Sequence, residues 1–224
     1  MGRGFEAAPA SRYAAVTSMA ACSILRSVRI AMTDASTLPL FPLHAVLLPG
    51  AAVGLRVFER RYLDMLRDAS RDGSGFGVCL ILQGEEVGAP AVPAAFGVEA
   101  RVEDFDMGAD GVLQLRLRGA RRFHVQRTRV RDNGLVVGEI TWCDEDSDDE
   151  LRPQHALLGT LLGHIIEQAG EAYAPASPML LDQAAWVGWQ LAQLLPLQES
   201  QRLQLLQIDD PHERLQRLLG WMPW

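Results

Sequence analysis

Apolar residues follow three different spacings along this chain. From Leu38 to Gly50 nearly every residue is apolar, yet Pro39, Pro42 and Pro49 punctuate the run. Proline has no N–H to donate and clashes with the preceding turn, so this stretch cannot be a helix interior. It predicts an extended strand pinned into a core, with its prolines where no ladder donor is needed. Pro49-Gly50 predicts a turn, and Ala51 to Val57 a return strand. Phe58, Tyr62, Met65, Leu66 and Ala69 then recur at i, i+4, i+7, i+8 and i+11, one face of an amphipathic helix. Glu59, Arg60, Asp64 and Arg67 fill the other face, and Gly73 predicts the C-cap.

A period of two follows. Gly75 to Leu82 is an apolar run of strand length, and Gln83 to Pro93 is a loop. Phe96, Val98, Ala100 and Val102 alternate with Gly97, Glu99, Arg101 and Glu103, a half-buried strand. Asp106 to Gly111 predicts a turn. Leu113, Leu115 and Leu117 alternate with Gln114, Arg116 and Arg118, and Gly119 is expected to break the pattern before Phe123 and Val125 resume it. Asp132-Asn133-Gly134 is a hairpin signal, and Leu135 to Trp142 closes the sheet. Six or seven short strands with one helix inserted early predict a small antiparallel barrel, closed or partly closed.

From Leu151 the spacing is helical. Leu157, Leu158, Leu161, Leu162, Ile165 and Ile166 mark a first helix, stopped near Gly170 and followed by a connector from Ala174 to Pro178. Ala185, Trp186, Trp189, Leu191, Leu194 and Leu195 mark a second, and Leu203, Leu205 and Leu206 a short third. Asp210 as N-cap with Pro211 at the first helical position opens a fourth, Leu215, Leu218 and Leu219 inward. The expected fold class is α+β: an extension over 1–31, a β-rich barrel over 32–143, an acidic linker over 144–150 and a helical subdomain over 151–224. The extension reads as disordered or as an early-chosen start, with Met32 a sensible beginning; a signal peptide ending near Met19-Ala20-Ala21-Cys22 is the alternative.

Composition changes the picture in two places. All 21 basic residues are arginine, with no lysine in the chain. A phosphate-binding P-loop, a Ser-Lys dyad and a Schiff base each need that amine. Three scattered cysteines, Cys22, Cys79 and Cys143, make neither a disulfide framework nor a Cys-rich zinc site and fit a reducing, cytoplasmic compartment. No apolar run approaches the roughly 20 residues a membrane span requires. The net charge of −7 argues against general nucleic-acid affinity.

Taken in order, the pieces resemble the N-terminal domain of the Lon protease family. They are Leu38-Pro39-Leu40-Phe41-Pro42-Leu43, Val46-Leu47-Leu48-Pro49-Gly50, Phe58-Glu59-Arg60-Arg61-Tyr62, Phe76-Gly77-Val78, Gly97-Val98-Glu99-Ala100 and Leu117-Arg118-Gly119-Ala120-Arg121-Arg122-Phe123. In the helical tail, Leu195-Pro196-Leu197 and Leu205-Leu206-Gln207-Ile208-Asp209 also fit, so the likeness runs from about Leu38 to Leu219. The resemblance implies a barrel of the pseudouridine-synthase-associated (PUA-like) type with helices behind it, and a role in recognising substrate polypeptide and supporting assembly. It also implies a stand-alone form without ATPase or protease domains, for which a peptidase label would be inherited by name alone.

Candidate chemistry is sparse. No catalytic residue, metal ligand or cofactor site is assigned. His155 and His164 are nine residues apart, which at about 100° per residue puts them on opposite helix faces. His44, in an apolar run, reads as a hydrogen-bonded structural residue. No G-x-S-x-G elbow is present; an unrecognised hydrolase would need a deep pocket with converging titratable groups. Six acids in the seven residues Asp144 to Glu150 read as a solvated linker, since the glycine and terminal glutamate of a calcium loop are missing. Phe58, Arg60, Arg61 and Tyr62 are the candidate polypeptide-binding residues; the competing reading packs Phe58 and Tyr62 in the core. Trp186 and Trp189 read as a seam between helices and barrel.

The alternative function is RNA binding by an arginine-rich strand pair. Arg116, Arg118, Arg121 and Arg122 belong to a set of seven arginines between Val112 and Arg131, with no acid among them. Glu99, Glu103 and Glu139 on neighbouring strands would quench that patch, and aromatic interleaving for base stacking is lacking. A polypeptide is therefore the expected partner, with neither nucleic acid nor membrane.

Overall fold

The computed structural model describes residues 36–169 and 178–222. The expected extension, the helix stop at Gly170 and most of the connector before Pro178 lie outside them.

Among the described residues, six strands form one sheet in the order β2-β5-β4-β3-β1-β6, and β5 also pairs β6. They are β1 (Ser36–Leu43), β2 (Ala52–Val57), β3 (Phe76–Gln83), β4 (Val92–Met107), β5 (Leu113–Val130) and β6 (Val136–Trp142). The extra pairing closes β1, β3, β4, β5 and β6 into an uneven, barrel-like ring and leaves β2 outside it on β5.

The proline-rich strand is bracketed on both sides, which prolines ordinarily forbid in a sheet. The register explains it. Ser36 to Pro39 pair only with β6, and Leu40 to Leu43 only with β3. Among the described residues each half of β1 has one free side, toward which a proline's missing N–H can face.

Two pairings differ from the sequence expectation. β1 and β3 run parallel, every other pair antiparallel. A parallel pair needs a crossover connection, and helix α1 (Arg60–Asp72) lies within it. The return strand β2 does not pair with β1; it joins β5. Gly119 does not interrupt β5 either. It sits within the strand because any Cβ there would collide with the Leu48 carbonyl oxygen, so the glycine serves a close chain approach rather than a break.

The ring interior is small. Leu38, Leu40, Cys79, Phe123, Val136 and Ile140 fill it. A Cβ on Gly77 or Gly97 would lie 2.6 Å from the Phe123 ring, so these glycines clear the space for one aromatic. Burial pushes the Cys79 thiol up to about 12, leaving it an inert filler. A larger core lies outside the ring, where Phe41, Phe76, Val98 and Leu117 meet α1 and the C-terminal helices through Leu158, Leu191, Leu205 and Leu215. Gly73 caps α1 in the left-handed conformation at φ 65°, as its position predicts.

Those helices are α2 (Ala156–Ala169), α3 (Pro178–Leu181), α4 (Ala184–Leu194), α5 (Glu199–Leu206) and α6 (Pro211–Trp221). The short α3 is not anticipated by the apolar spacing. Asp210 caps α6, accepting from the His212 N–H at 2.7 Å, and that bond holds its carboxyl below the usual range.

Candidate polypeptide-binding surface

The first half of β5 carries a three-strand wing. Leu113 to Arg118 pair with β2 on one side and with the end of β4, Arg101 to Met107, on the other. The last pair of β4 with β3 is Ala100 with Phe76, so from Arg101 onward β4 has left the ring. Val57, Leu113 and Met107 form one row across the wing, and Leu55, Leu115 and Phe105 the next. Leu115 and Leu117 are buried toward the core, but the face continues outward to Phe105 and Met107, 72% and 62% exposed. Phe58 follows Val57 at the same end and is 59% exposed. Large apolar side chains gathered on an open surface mark interaction sites.

The opposite end of β2 opens on a groove of about 320 Å³. Its walls are Leu43, Ala45 to Leu48, Ala51 to Val53, and the polar Gln193 and Arg202. Glu199 at the start of α5 fixes this wall: it accepts from the Val46 N–H at 2.6 Å and from Arg202 Nη1 at 2.6 Å. Gln193 donates to the Pro49 carbonyl at 3.3 Å.

The four candidates from the sequence separate. Phe58 and Arg60 are exposed, which corrects the core assignment of Phe58. Arg61 and Tyr62 are buried. Arg61 donates to the Gly134 carbonyl at 3.0 Å and pairs Glu59, its guanidinium 4.6 Å from the Tyr62 ring centroid. Tyr62 stacks on Phe41 with centroids 4.0 Å apart. These two hold α1 against the ring and offer nothing to a ligand. His44 is also exposed; its backbone N–H donates to Glu86 at 2.7 Å and its ring lies 3.4 Å from Glu85.

The four candidate arginines are each engaged. Arg118 donates to Glu103 at 2.5 Å and to the Gly50 carbonyl at 2.9 Å, and that contact draws the Glu103 carboxyl below its ordinary range. Arg116 lies 3.5 Å from the same carboxylate, and Arg121 sits over the Trp142 ring at 4.9 Å. Arg122 is buried, which corrects its assignment as a phosphate contact. It donates to the Leu206 and Ile208 carbonyls at 2.9 and 3.2 Å.

Asp146 joins that buried arginine to a second. Its carboxylate accepts from Trp189 Nε1 at 2.5 Å and from Arg214 at 2.7 Å, and lies 3.5 Å from Arg122. The Arg214 guanidinium stacks 3.7 Å from the Trp189 ring centroid. Trp189 is thus a seam residue, while the other acids from Asp144 to Glu150 are exposed.

Phe105 and Met107 are hidden from a reading by sequence because Asp106 to Gly111 looks like a turn. Their alternation with Asp104 and Asp106 is the signal that could find them. Among the described residues no three His, Cys, Asp or Glu side chains converge on a metal position, and no helix is long and apolar enough to cross a membrane. The groove beside β2 holds one titratable side chain, Arg202, already paired with Glu199.

No curated protein matches the chain. Among solved structures it is similar to a Lon N-terminal domain protein from Xanthomonas campestris, at 66% identity and TM-score 0.72, over 84% of this chain and 99% of that one. It shares its fold with the N-terminal domain of a Lon protease from the Mycobacterium avium complex, at 20% identity and TM-score 0.61, over 83% of this chain and 97% of that one. The family model of the ATP-dependent protease La (LON) substrate-binding domain matches residues 37–223. This chain, with its proline-stapled first strand, uneven ring and trailing helices, belongs to the LON substrate-binding domain family.

Proposed function

We propose that this protein is a non-catalytic polypeptide-binding module, an accessory factor in cytoplasmic protein quality control, and that it takes unfolded chains on its wing. The observation that carries this reading is the gathering of Phe58, Phe105 and Met107 at one open end of the wing. An unfolded chain displays the apolar side chains that a folded one hides, so an exposed apolar surface on a rigid sheet selects for unfolding. Family membership supports a substrate-binding role. The absence of lysine removes the P-loop and the Ser-Lys dyad from what the chain can build. The RNA reading gains no support, because Arg118 and Arg122 are committed to Glu103, Asp146 and backbone carbonyls.

Reduced, carboxymethylated α-lactalbumin is a permanently unfolded probe. Fluorescence anisotropy of the labelled probe should rise with added protein, whereas native α-lactalbumin should give no signal. A Phe105→Ser, Met107→Ser double variant should bind the probe at least about tenfold more weakly, two buried apolar contacts being lost. Equal binding of folded and unfolded probe, or none of either, refutes the reading.

A further inference from the structure

β2 is the one strand of the six that, among the described residues, has no partner along an entire side. Gly119 donates its N–H to the Ala51 carbonyl at 2.9 Å. In an antiparallel ladder that bond makes Ala52 and Arg118 a non-hydrogen-bonded pair, so Val53, Leu55 and Val57 turn their backbone groups toward β5. Ala52, Gly54 and Arg56 turn theirs outward. Among the described residues no hydrogen bond outside the β5 ladder reaches these three backbones.

Exposed edges invite pairing, and folded proteins usually blunt them with proline, charge or a bulge. The other edge of the wing is blunted in this way. From Arg101 to Met107, β4 carries Glu103, Asp104 and Asp106 and a register shift between Val102 and Asp104. The β2 edge has no proline and no register shift, and its one charge, Arg56, is tied to Asp110. At its centre, a Cβ on Gly54 would find nothing within 4 Å. A glycine within a strand often marks the place where another backbone comes close.

We propose that β2 is a β-augmentation site: an extended polypeptide segment adds to it as a seventh strand, the wing's apolar side chains reading alternate residues of that segment. This rests on the polypeptide-binding reading above and specifies how the chain is held. The segment's backbone bonds to Ala52, Gly54 and Arg56. Every second side chain falls beside Val53 and Leu55, which are half-buried and apolar, so the segment alternates apolar with polar residues. One end enters the 320 Å³ groove and the other reaches Phe58. A second copy of this chain is a poor occupant. Leu43, Ala45 to Leu48, Gln193 and Arg202 line one groove with Ala52 and Val53, at the start of the edge. Walls beside the edge hinder the approach of a second sheet more than that of a single strand.

The test uses the whole protein and a fluorescein-labelled peptide as long as β2, alternating valine or leucine with serine or glutamine. N-methylation removes amide donors without altering side chains. Methylating alternate amides in one frame should weaken binding at least about tenfold, and in the other frame change it less than about threefold. Gly54→Pro removes an outward donor while leaving the β5 ladder untouched, and should reproduce the loss with an unchanged circular dichroism spectrum and melting temperature. Equal binding of both methylated frames would overturn the inference yet leave side-chain recognition standing. Failure of the unmethylated peptide, with carboxymethylated α-lactalbumin still bound, would also overturn the inference alone. Loss of both would sink the polypeptide reading itself. A protein that sediments as a dimer, and as a monomer after Gly54→Pro, would assign the edge to a second copy and overturn the proposal.

Discussion

The seam around Asp146 and the wing beside β2 draw on similar residues, arginines and aromatics, and use them oppositely. In the seam the guanidinium of Arg214 is fully buried, stacked on Trp189 and bonded to Asp146 and the Ile208 carbonyl. In the wing, Phe58, Phe105 and Met107 stand open and the backbone groups of three β2 residues face outward. Enclosed contacts hold the fold together; open ones are available to a partner. Residue type alone does not distinguish the two, because the same side chains serve either purpose.

Breaking the seam should produce the largest change. Asp146→Ala leaves Arg214 and Arg122 without their shared carboxylate, and Arg214 Nε and Nη1 already have no partner among the described residues. Removing one partner of a buried pair costs about 3–5 kcal/mol, which urea unfolding would register as an early midpoint with probe binding by the residual folded protein unaltered. Gly119→Ala comes next. Its methyl group meets the Leu48 carbonyl oxygen, so the loop behind the groove must shift, at about 1–3 kcal/mol. This variant lies between the two regions and should weaken peptide binding as well as stability.

Mild acid should act on the helices rather than on the wing, whose Glu103 carboxyl Arg118 holds below its ordinary range. His155 and His212 are buried with their Nδ1 atoms 3.3 Å apart and rings stacked at 5.5 Å, with Gln216 at 3.4 Å from His155. Burial, then Arg152 and His155, hold His212 below its ordinary value of 6.5, against the opposing pull of Asp210 and Asp149. The unfolded chain therefore takes up this proton at higher pH than the folded one. Stability is complete above about 6.5 and falls as pH drops from there toward the lower folded value. Melting temperatures measured from neutral to mildly acidic pH should show that slope, and His212→Gln should flatten it.

The smallest effect on stability belongs to the wing. Phe105→Ser and Met107→Ser replace exposed side chains and should stay within about 0.5 kcal/mol of wild type in urea, although the pair should account for most of the loss in probe binding. A large stability cost there would mean that the exposed face is structural after all and would erase the contrast with the seam.

Much of the fold is legible in the sequence because its signals are local. Proline excludes a helix over Leu38 to Leu48, period two marks β4 and β5, and Asp210-Pro211 announces the start of α6. The ordered series of short motifs identifies the family. The candidate site is less legible. Phe58 fits the helical repeat of α1 by spacing, yet it precedes the helix and faces solvent. Arg61 and Arg122 read as surface charges, yet each is buried against carbonyls. Nothing in the run Asp144 to Glu150 distinguishes Asp146 from the exposed acids around it.

The sequence by itself determined most of the elements, their order and the absence of lysine chemistry, since backbone preference, hydrophobic period and composition are properties of neighbouring residues. The tertiary structure alone decided that β2 lies on β5, that β4 leaves the ring at Arg101, and which arginines are enclosed. Those outcomes depend on strand partners and packing neighbours far apart in the chain. An edge becomes an edge only when the rest of the sheet has chosen where to stop.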